Sequence, residues 1–189
     1  SNRGRKESID AKKERGQPPI GKGVFTGFPD VKTHKVSQAL HCSLNFVCYT
    51  GLKQDKDGNI ESANISKIKK FAKKYHKNGI RTYIMGYPAY GHEEQFLAKL
   101  FSLANSGDAI GVILNLDHYY GGKAAESPYE KENYLMSEFK KYADKKNFAT
   151  GLTATDIAAN PNIPWKIFAE PKTGVDFAIP QVFAQEYNS

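Results

Sequence analysis

From residue 23 onward, short apolar runs alternate with segments whose apolar residues recur at helical spacing. The runs, which we predict to be β-strands, cover residues 23–28, 40–49, 80–87, 109–116, 150–154 and 175–183. Helices are predicted from residue 65 to a stop at Gly79, capped by Asn64 or Ser66, and over 93–104, 129–146 and 165–169. Strands that alternate with helices form βαβ units, so the pattern predicts an α/β protein with a mostly parallel sheet.

Two architectures fit this alternation: a doubly wound open sheet and a (β/α) barrel. No glycine-rich phosphate-binding motif precedes a predicted helix, so no motif supports a nucleotide-binding fold. Polar residues follow the predicted strands repeatedly, as is typical of barrel enzymes. A complete eight-unit barrel takes about 250 residues, whereas this chain has 189. We therefore predict a parallel (β/α) barrel-like fold, shortened to about six strand–helix units or forming part of a longer protein.

The positive charge is concentrated at the start of the chain. Residues 1–22 carry seven basic and three acidic side chains, and the formal net charge of the whole chain is +7. Pro18, Pro19 and Gly21 punctuate the end of this segment. We predict a disordered basic leader over 1–22 and a single barrel-like domain over 23–189. The leader is either simply solvated or able to contact nucleic acid, anionic lipid or a teichoic-acid-like polymer.

Several kinds of site have no support in the sequence. Cys42 and Cys48 lie in one predicted strand about 20 Å apart, which is too far for a disulfide. The five histidines and two cysteines show no metal-ligand spacing, so we expect no metal and no cofactor. No apolar stretch approaches about 18 residues and no signal peptide is visible, so no membrane span is predicted. The location stays open between cell surface, periplasm and virion.

The segment 111–120, with the sequence GVILNLDHYY, contains the strongest candidate for chemistry. Residues two apart on a strand face the same side, so Asn115 and Asp117 are predicted to point together, away from the aliphatic residues between them. A polar pair ending an apolar strand is costly unless it faces a cleft or is hydrogen-bonded. We therefore predict Asp117 to be a cleft carboxylate oriented by Asn115; the other interpretation is that Asp117 only caps a turn.

The same segment resembles the fourth-strand signature of lysozyme-like and chitinase-like glycoside hydrolase barrels, in which an Asp-x-Glu pair ends the strand. Residues 67–85 resemble their passage from a helix into the third strand. Three further stretches resemble the fifth and sixth units of barrel domains from phage and bacterial cell-wall proteins, and they cover residues 151–155, 163–166 and 175–183. The resemblance extends over roughly residues 23–187 and implies a glycosidase-like barrel.

The chain departs from that family at the catalytic pair, which is Asn115-x-Asp117 in place of Asp-x-Glu. Glycoside hydrolysis generally uses two carboxylates, or one acid with a nucleophile supplied by the substrate. The resemblance implies that Asp117 is the general acid, which requires a raised pKa. Asp30 and Asp156, predicted on the same barrel rim, are the candidate partner carboxylates; their ordinary roles would be a turn residue and a helix N-cap.

Aromatic side chains are frequent around the predicted strand ends. Their faces stack on sugar rings, and tyrosine hydroxyls hydrogen-bond to sugars. The candidate substrate-binding residues are Tyr87, Tyr90, Tyr119, Tyr120, Trp165 and Gln181. Tyr119 and Tyr120 precede Gly121-Gly122, and we expect both to be exposed.

The sequence thus predicts a carbohydrate-active barrel domain, a glycoside hydrolase acting on cell-wall polysaccharide of the peptidoglycan or chitin type. The alternative is a non-catalytic glycan-binding or structural barrel domain of a phage tail or cell-surface assembly. A role on nucleic acid would rest on the charge of the leader alone, so we do not expect nucleic acid as a partner. The expected partners are a glycan and a subunit or further domain that completes the barrel.

Overall fold

The computed structural model describes residues 6–26, 36–155, 163–170, 172 and 174–181. Its strands are β1 (Gly23–Thr26), β2 (Phe46–Gln54), β3 (Ile60–Ser62), β4 (Arg81–Tyr87), β5 (Gly111–Asn115), β6 (Ala149–Thr155) and β7 (Phe177–Gln181). Its helices are α1 (Ala11–Glu14), α2 (Val36–His41), α3 (Ile65–Lys77), α4 (Glu93–Ser106), α5 (Glu130–Lys146) and α6 (Trp165–Phe168). None of the described helices is long and apolar enough to cross a membrane.

Six of the strands form a parallel sheet in the order β1-β2-β4-β5-β6-β7, which curls into a half-barrel. The predicted shortened (β/α) barrel is therefore confirmed. The short strand β3 pairs with β2 in the antiparallel direction and was not predicted. This extra strand extends β2 into a hairpin at the carboxyl-terminal edge of the sheet.

The alternating side chains of the strands separate two hydrophobic cores. On the helix side, Val112 and Leu114 of β5 are fully buried and pack in one cluster with residues of α3, α4 and α5. On the inner side of the half-barrel, Met85 and Ile113 belong to a second, smaller cluster. Burial on both sides explains why β5 is apolar at nearly every position. Asn115, on the inner side, is the exception.

The segment before β1 packs against the opposite, amino-terminal edge of the sheet. The Ile9 amide donates to the His76 carbonyl at 2.8 Å. The Arg81 guanidinium binds the Glu14 carboxylate at 2.8 and 2.9 Å. The Tyr83 hydroxyl donates to the Gln17 carbonyl at 2.7 Å. Over 6–22 this order differs from the disordered leader that the charge predicts, because Ile9 and Ala11 supply apolar contacts to the inner core.

The region before β2 also differs from its prediction. The apolar run 40–49 was predicted as one strand, but its first residues end α2 and the strand begins at Phe46. Leu40 is on the helix, where it is 41% exposed. Cys42 is consequently exposed outside β2, whereas Cys48 is buried within it, and both are free cysteines. The predicted N-cap of α3 is confirmed, since the Asn64 side chain accepts from the Ser66 and Lys67 amides.

The packing of the amino-terminal segment can be tested with Ala11→Asp. The new carboxylate would have to be buried against apolar side chains, so we expect residues 6–20 to detach from the sheet. Tryptic cleavage after Lys12 and Lys13, followed by mass spectrometry, should accelerate about tenfold or more. Ser8→Asp, on an exposed residue, is the matched control. Equal cleavage of wild type and Ala11→Asp would contradict the packing.

Candidate functional site

Asn115 ends β5 on the inner side of the half-barrel and is completely buried. Its Oδ1 atom accepts a hydrogen bond from the Asp117 amide at 3.0 Å, and its Nδ2 atom donates to the Met85 sulfur at 3.7 Å. Leu116 packs in the helix-side core, as predicted. The amide of Asn115 therefore fixes the backbone at which the chain leaves the strand, and Asp117 begins an exposed turn.

A layered group of side chains stands beside Asp117. The Tyr87 and His118 rings are stacked, with centroids 5.9 Å apart and an interplanar angle of 22°. The Lys53 Nζ atom lies 5.6 Å from the centroid of the Tyr87 ring. Partial burial and the negative charge of Asp117 raise the pKa of Tyr87, so this tyrosine stays neutral and can donate a hydrogen bond. One arrangement thus combines an aromatic face, a carboxylate and a cation.

Two hollows meet at His118 and Gly121. The first, which we call the hairpin cleft, has a volume of about 510 Å³ and lies between the β2–β3 hairpin, Tyr87 and His118. The second, the Asp117 hollow, has a volume of about 360 Å³ and is lined by Asp117, Tyr120 and Ile163 among others. Their position is the carboxyl-terminal edge of the parallel strands, where barrel proteins place their sites.

Gln54, the last residue of β2, holds the hairpin in place. It is buried, and its Nε2 atom donates to the carbonyls of Gly58 at 3.3 Å and His92 at 3.0 Å. Its Oε1 atom accepts from the Ala89 amide at 3.1 Å. Within the turn, hydrogen bonds from Asn59 lower the pKa of Asp55, so the carboxylate of Asp55 serves the turn itself.

The aromatic candidates divide into two groups. Tyr87 lines the hairpin cleft and Tyr120 lines the Asp117 hollow. Tyr119 was expected to be exposed, and this is wrong, because it is 1% exposed and its hydroxyl donates to Glu93 at 2.7 Å. Tyr90 is half-buried against Tyr119, with ring centroids 5.7 Å apart. Trp165 is half-buried on α6 and packs against the helix-side core.

The remaining candidates cannot be placed with these. Asp30 and Asp156 lie outside the described residues, so the partner carboxylate for Asp117 stays a prediction. Gln181 pairs with Thr155 at the carboxyl end of β7, but its side chain lies outside the described part of the chain. Among the described residues, no group of three or more acidic, histidine or cysteine side chains is arranged to hold a metal ion.

Sequence reasoning missed a pair of buried glutamates behind the Asp117 turn. Glu93 begins α4 and accepts from the Tyr119 hydroxyl and, at 2.8 Å, from the Gly91 amide. Glu132, in the first turn of α5, is completely buried beside the Tyr120 hydroxyl. Burial, reinforced by the nearby Glu93 charge, raises the pKa of Glu132. These glutamates contact the two tyrosines that directly follow Asp117 and His118, and so they support the turn.

Lys53, Gln54 and His118 are the other contributors that the sequence did not single out. Lys53 and Gln54 belong to the hairpin, which could not be recognised without β3. His118 lies in the segment 111–120, but the sequence assigned it no role. The one available signal was the turn sequence Asp55-x-Asp57-Gly58, which is typical of a tight chain reversal.

Comparison with known proteins identifies the fold. No protein-family model and no curated protein matches the sequence. A GH18 chitinase from Cycas revoluta, in a complex with allosamidin, matches 86% of this chain and 55% of that chain, with a TM-score of 0.61 and 13% identity. The GH18 chitinase ChiB of Flavobacterium johnsoniae matches 89% of this chain and 56% of that chain, with a TM-score of 0.59 and 13% identity. The spore cortex-lytic enzyme SleL of Bacillus cereus matches 84% of this chain and 41% of that chain, with a TM-score of 0.60 and 10% identity.

At these identities the likeness concerns the fold, and this chain spans about half the length of the solved structures that it matches. The described strands have the architecture of a glycoside-hydrolase-like (β/α) half-barrel.

The raised pKa of Glu132 gives a testable pH dependence. A carboxyl whose pKa is higher in the folded than in the unfolded protein makes stability fall as the pH rises above its ordinary value, here 4.5. We expect Glu132→Gln to remove part of that fall. The free energy of unfolding of the variant, minus that of wild type, should therefore be more positive at pH 8 than at pH 4. Denaturant unfolding at both pH values measures the difference.

Glu94→Gln, on the exposed neighbour of Glu93, provides the control for the loss of one negative charge. If Glu132→Gln and Glu94→Gln change stability equally at pH 4 and pH 8, the buried carboxyl of Glu132 does not titrate as described.

Proposed function

We propose that this protein is a carbohydrate-active barrel domain that binds cell-wall polysaccharide of the peptidoglycan or chitin type. The observation that carries the proposal is the stack of Tyr87 on His118 beside Asp117, at the carboxyl edge of a chitinase-like barrel. A sugar ring in the hairpin cleft would pack on this wall with Lys53 beside it, and a chain that continues into the adjoining hollow would reach Asp117.

For the reaction we propose hydrolysis of the glycosidic bond, with Asp117 as the general acid. Asp117 would protonate the leaving oxygen, and Asn115 would position it by holding its backbone amide. The second role falls either to a partner carboxylate, for which Asp30 and Asp156 remain candidates, or to a substituent of the sugar that attacks the anomeric carbon. The latter route needs only one protein acid, which suits Asn115 in place of a carboxylate.

The second candidate function is a glycan-holding barrel without turnover, in a phage tail or a cell-surface assembly. Asn115 favours it, because its amide is engaged on one side by Asp117 and on the other by Met85. An amide cannot transfer a proton or act as a carboxylate nucleophile. Binding in the hairpin cleft is common to both candidates, whereas cleavage distinguishes them.

Hydrolysis of purified peptidoglycan and of chitin oligomers, followed by product mass analysis, tests the reaction. We expect wild-type protein to cleave one of these substrates and Asp117→Asn to lose about 10²–10⁴-fold in rate, the usual contribution of a general acid. Asp144→Asn, on an exposed position of α5, should cleave like wild type. Equal cleavage by Asp117→Asn would contradict the role of Asp117. Binding by wild type with no cleavage would favour the glycan-holding alternative.

The aromatic wall has its own test in binding affinity. Tyr87→Ala removes the ring and should weaken binding of the same oligomers about 3- to 10-fold, whereas Tyr87→Phe should retain most of the affinity. Tyr134→Ala, which removes a tyrosine that is 41% exposed on α5, controls for loss of a surface ring. Isothermal titration calorimetry gives the dissociation constants. Unchanged affinity in Tyr87→Ala would contradict the assignment of the hairpin cleft as the binding site.

A further inference from the structure

The outer helix α3 presents a surface made almost wholly of lysine. Its sequence, ISKIKKFAKKYHK, contains no acidic residue. The exposed lysines, which we call the lysine face, are Lys67, Lys69, Lys70, Lys73, Lys74 and Lys77. They extend over about 15 Å of helix. Among the described residues, none of the six has an ion-pair partner within 4.0 Å.

This composition is not explained by the stability of the helix. Lysines three or four positions apart, such as Lys70 and Lys74, repel one another and destabilise a helix slightly. The helix is held instead by its other side, where Ile68, Phe71 and Tyr75 are buried in the core. Helix α5 shows the ordinary alternative, because its lysines alternate with acidic residues and Lys141 binds Glu138 at 2.8 Å.

A groove of about 640 Å³ continues the lysine face toward the amino-terminal segment. Lys69, Lys73 and Lys77 form one side of it, and Lys12 belongs to the other. Asp10 and Asp108 also line the groove, so it holds four lysines against two aspartates. The Asp10 carboxylate is engaged by the Lys12 amide at 3.1 Å, as the cap of α1. The groove is therefore a concave surface of net positive charge that adjoins the positively charged outer surface of α3.

We propose that the lysine face and this groove are a docking surface for a linear phosphodiester polymer that accompanies the cell-wall glycan. The choice of this polymer rests on the proposed function. The complementarity between the positive surface and a negatively charged polymer does not depend on that function. Lysine ammonium groups bind phosphates as point charges and read no sequence, which suits a flexible polymer with a repeated charge. Most apolar side chains of α3 are buried and only Ile65, which is 38% exposed, remains accessible, so the helix has too little apolar surface to insert into a lipid bilayer.

Nucleic acid fits this surface less well. Single strands are held by stacking on aromatic side chains, and both aromatic rings of α3, Phe71 and Tyr75, are at most 6% exposed. Base edges in a duplex are read by arginine, lysine, asparagine or glutamine, and of these residues α3 contains only lysine. The surface therefore offers mainly charge contacts to phosphate.

The test uses purified poly(glycerol phosphate) as the probe at 50 and 200 mM salt. Wild-type protein should bind it with an affinity that falls steeply with salt, with a logarithmic slope of about −4 for six lysine contacts. The triple variant Lys67→Gln, Lys70→Gln, Lys74→Gln should bind at least about tenfold more weakly at 50 mM salt, and its slope should be shallower by about 2. Circular dichroism verifies that the variant remains folded.

The matched control changes three lysines on α5, as Lys131→Gln, Lys145→Gln, Lys146→Gln, and alters the net charge equally. It should bind the polymer nearly as wild type does. No binding by wild type, or equal weakening in the two triple variants, would overturn the proposal. So would tighter binding of a DNA duplex with the same number of phosphates, or of phosphatidylglycerol vesicles, by wild type.

The two proposals fail separately. Tyr87→Ala and Asp117→Asn act at the carboxyl edge of the sheet and should leave polymer binding unchanged, which supports a surface distinct from the glycan site. If the protein binds the polymer but no glycan, only the proposed function is lost. If it binds or cleaves glycan but not the polymer, the lysine face has no such role.

Discussion

Every parallel strand of this fold must be covered on both faces, and that constraint organises the molecule. On the outer face, α3, α4 and α5 bury the side chains of Val112 and Leu114 and their neighbours. On the inner face a closed barrel would cover its strands with one another. In this half-barrel, residues of the amino-terminal segment contribute to that cover, with Ile9 and Ala11 packed against the inner core. A segment whose charge predicts a solvated leader is thereby drawn into the fold.

The same constraint accounts for the position of the site. The amino-terminal segment packs at one edge of the sheet, through contacts to His76, Arg81 and Tyr83. Polar side chains are tolerated at the other edge, where the strands end and water has access. Asn115 marks the boundary between the apolar inner face and the polar edge. It is the last inner-facing residue of β5, and its side-chain oxygen accepts a hydrogen bond from the Asp117 amide. Tyr87 and His118 then form the wall at which a ligand could be held.

The parts that could be predicted from the sequence are those with strong periodicity. The parallel sheet, the long helices and the Asn64 cap follow from spacing and capping chemistry, which act locally. The hairpin was missed because β3 has only three residues, all of them in the exposed class, and lacks an apolar pattern. Tyr119 was misjudged because its burial depends on Glu93, far away along the chain. The site residues that come from the hairpin could not be predicted, since their proximity to Tyr87 is set by tertiary packing.

Gln54 gives the hairpin cleft a property that matters for any ligand. Its side chain bonds to Gly58 in the β2–β3 turn and to Ala89 and His92 in the loop between β4 and α4, so a single amide joins two loops. A wall tied in this way is already shaped before a ligand arrives. Binding there would cost little conformational entropy, and affinity could come from modest contacts in an open cleft. A polysaccharide bound as proposed would therefore meet a cleft wall whose shape does not have to change on binding.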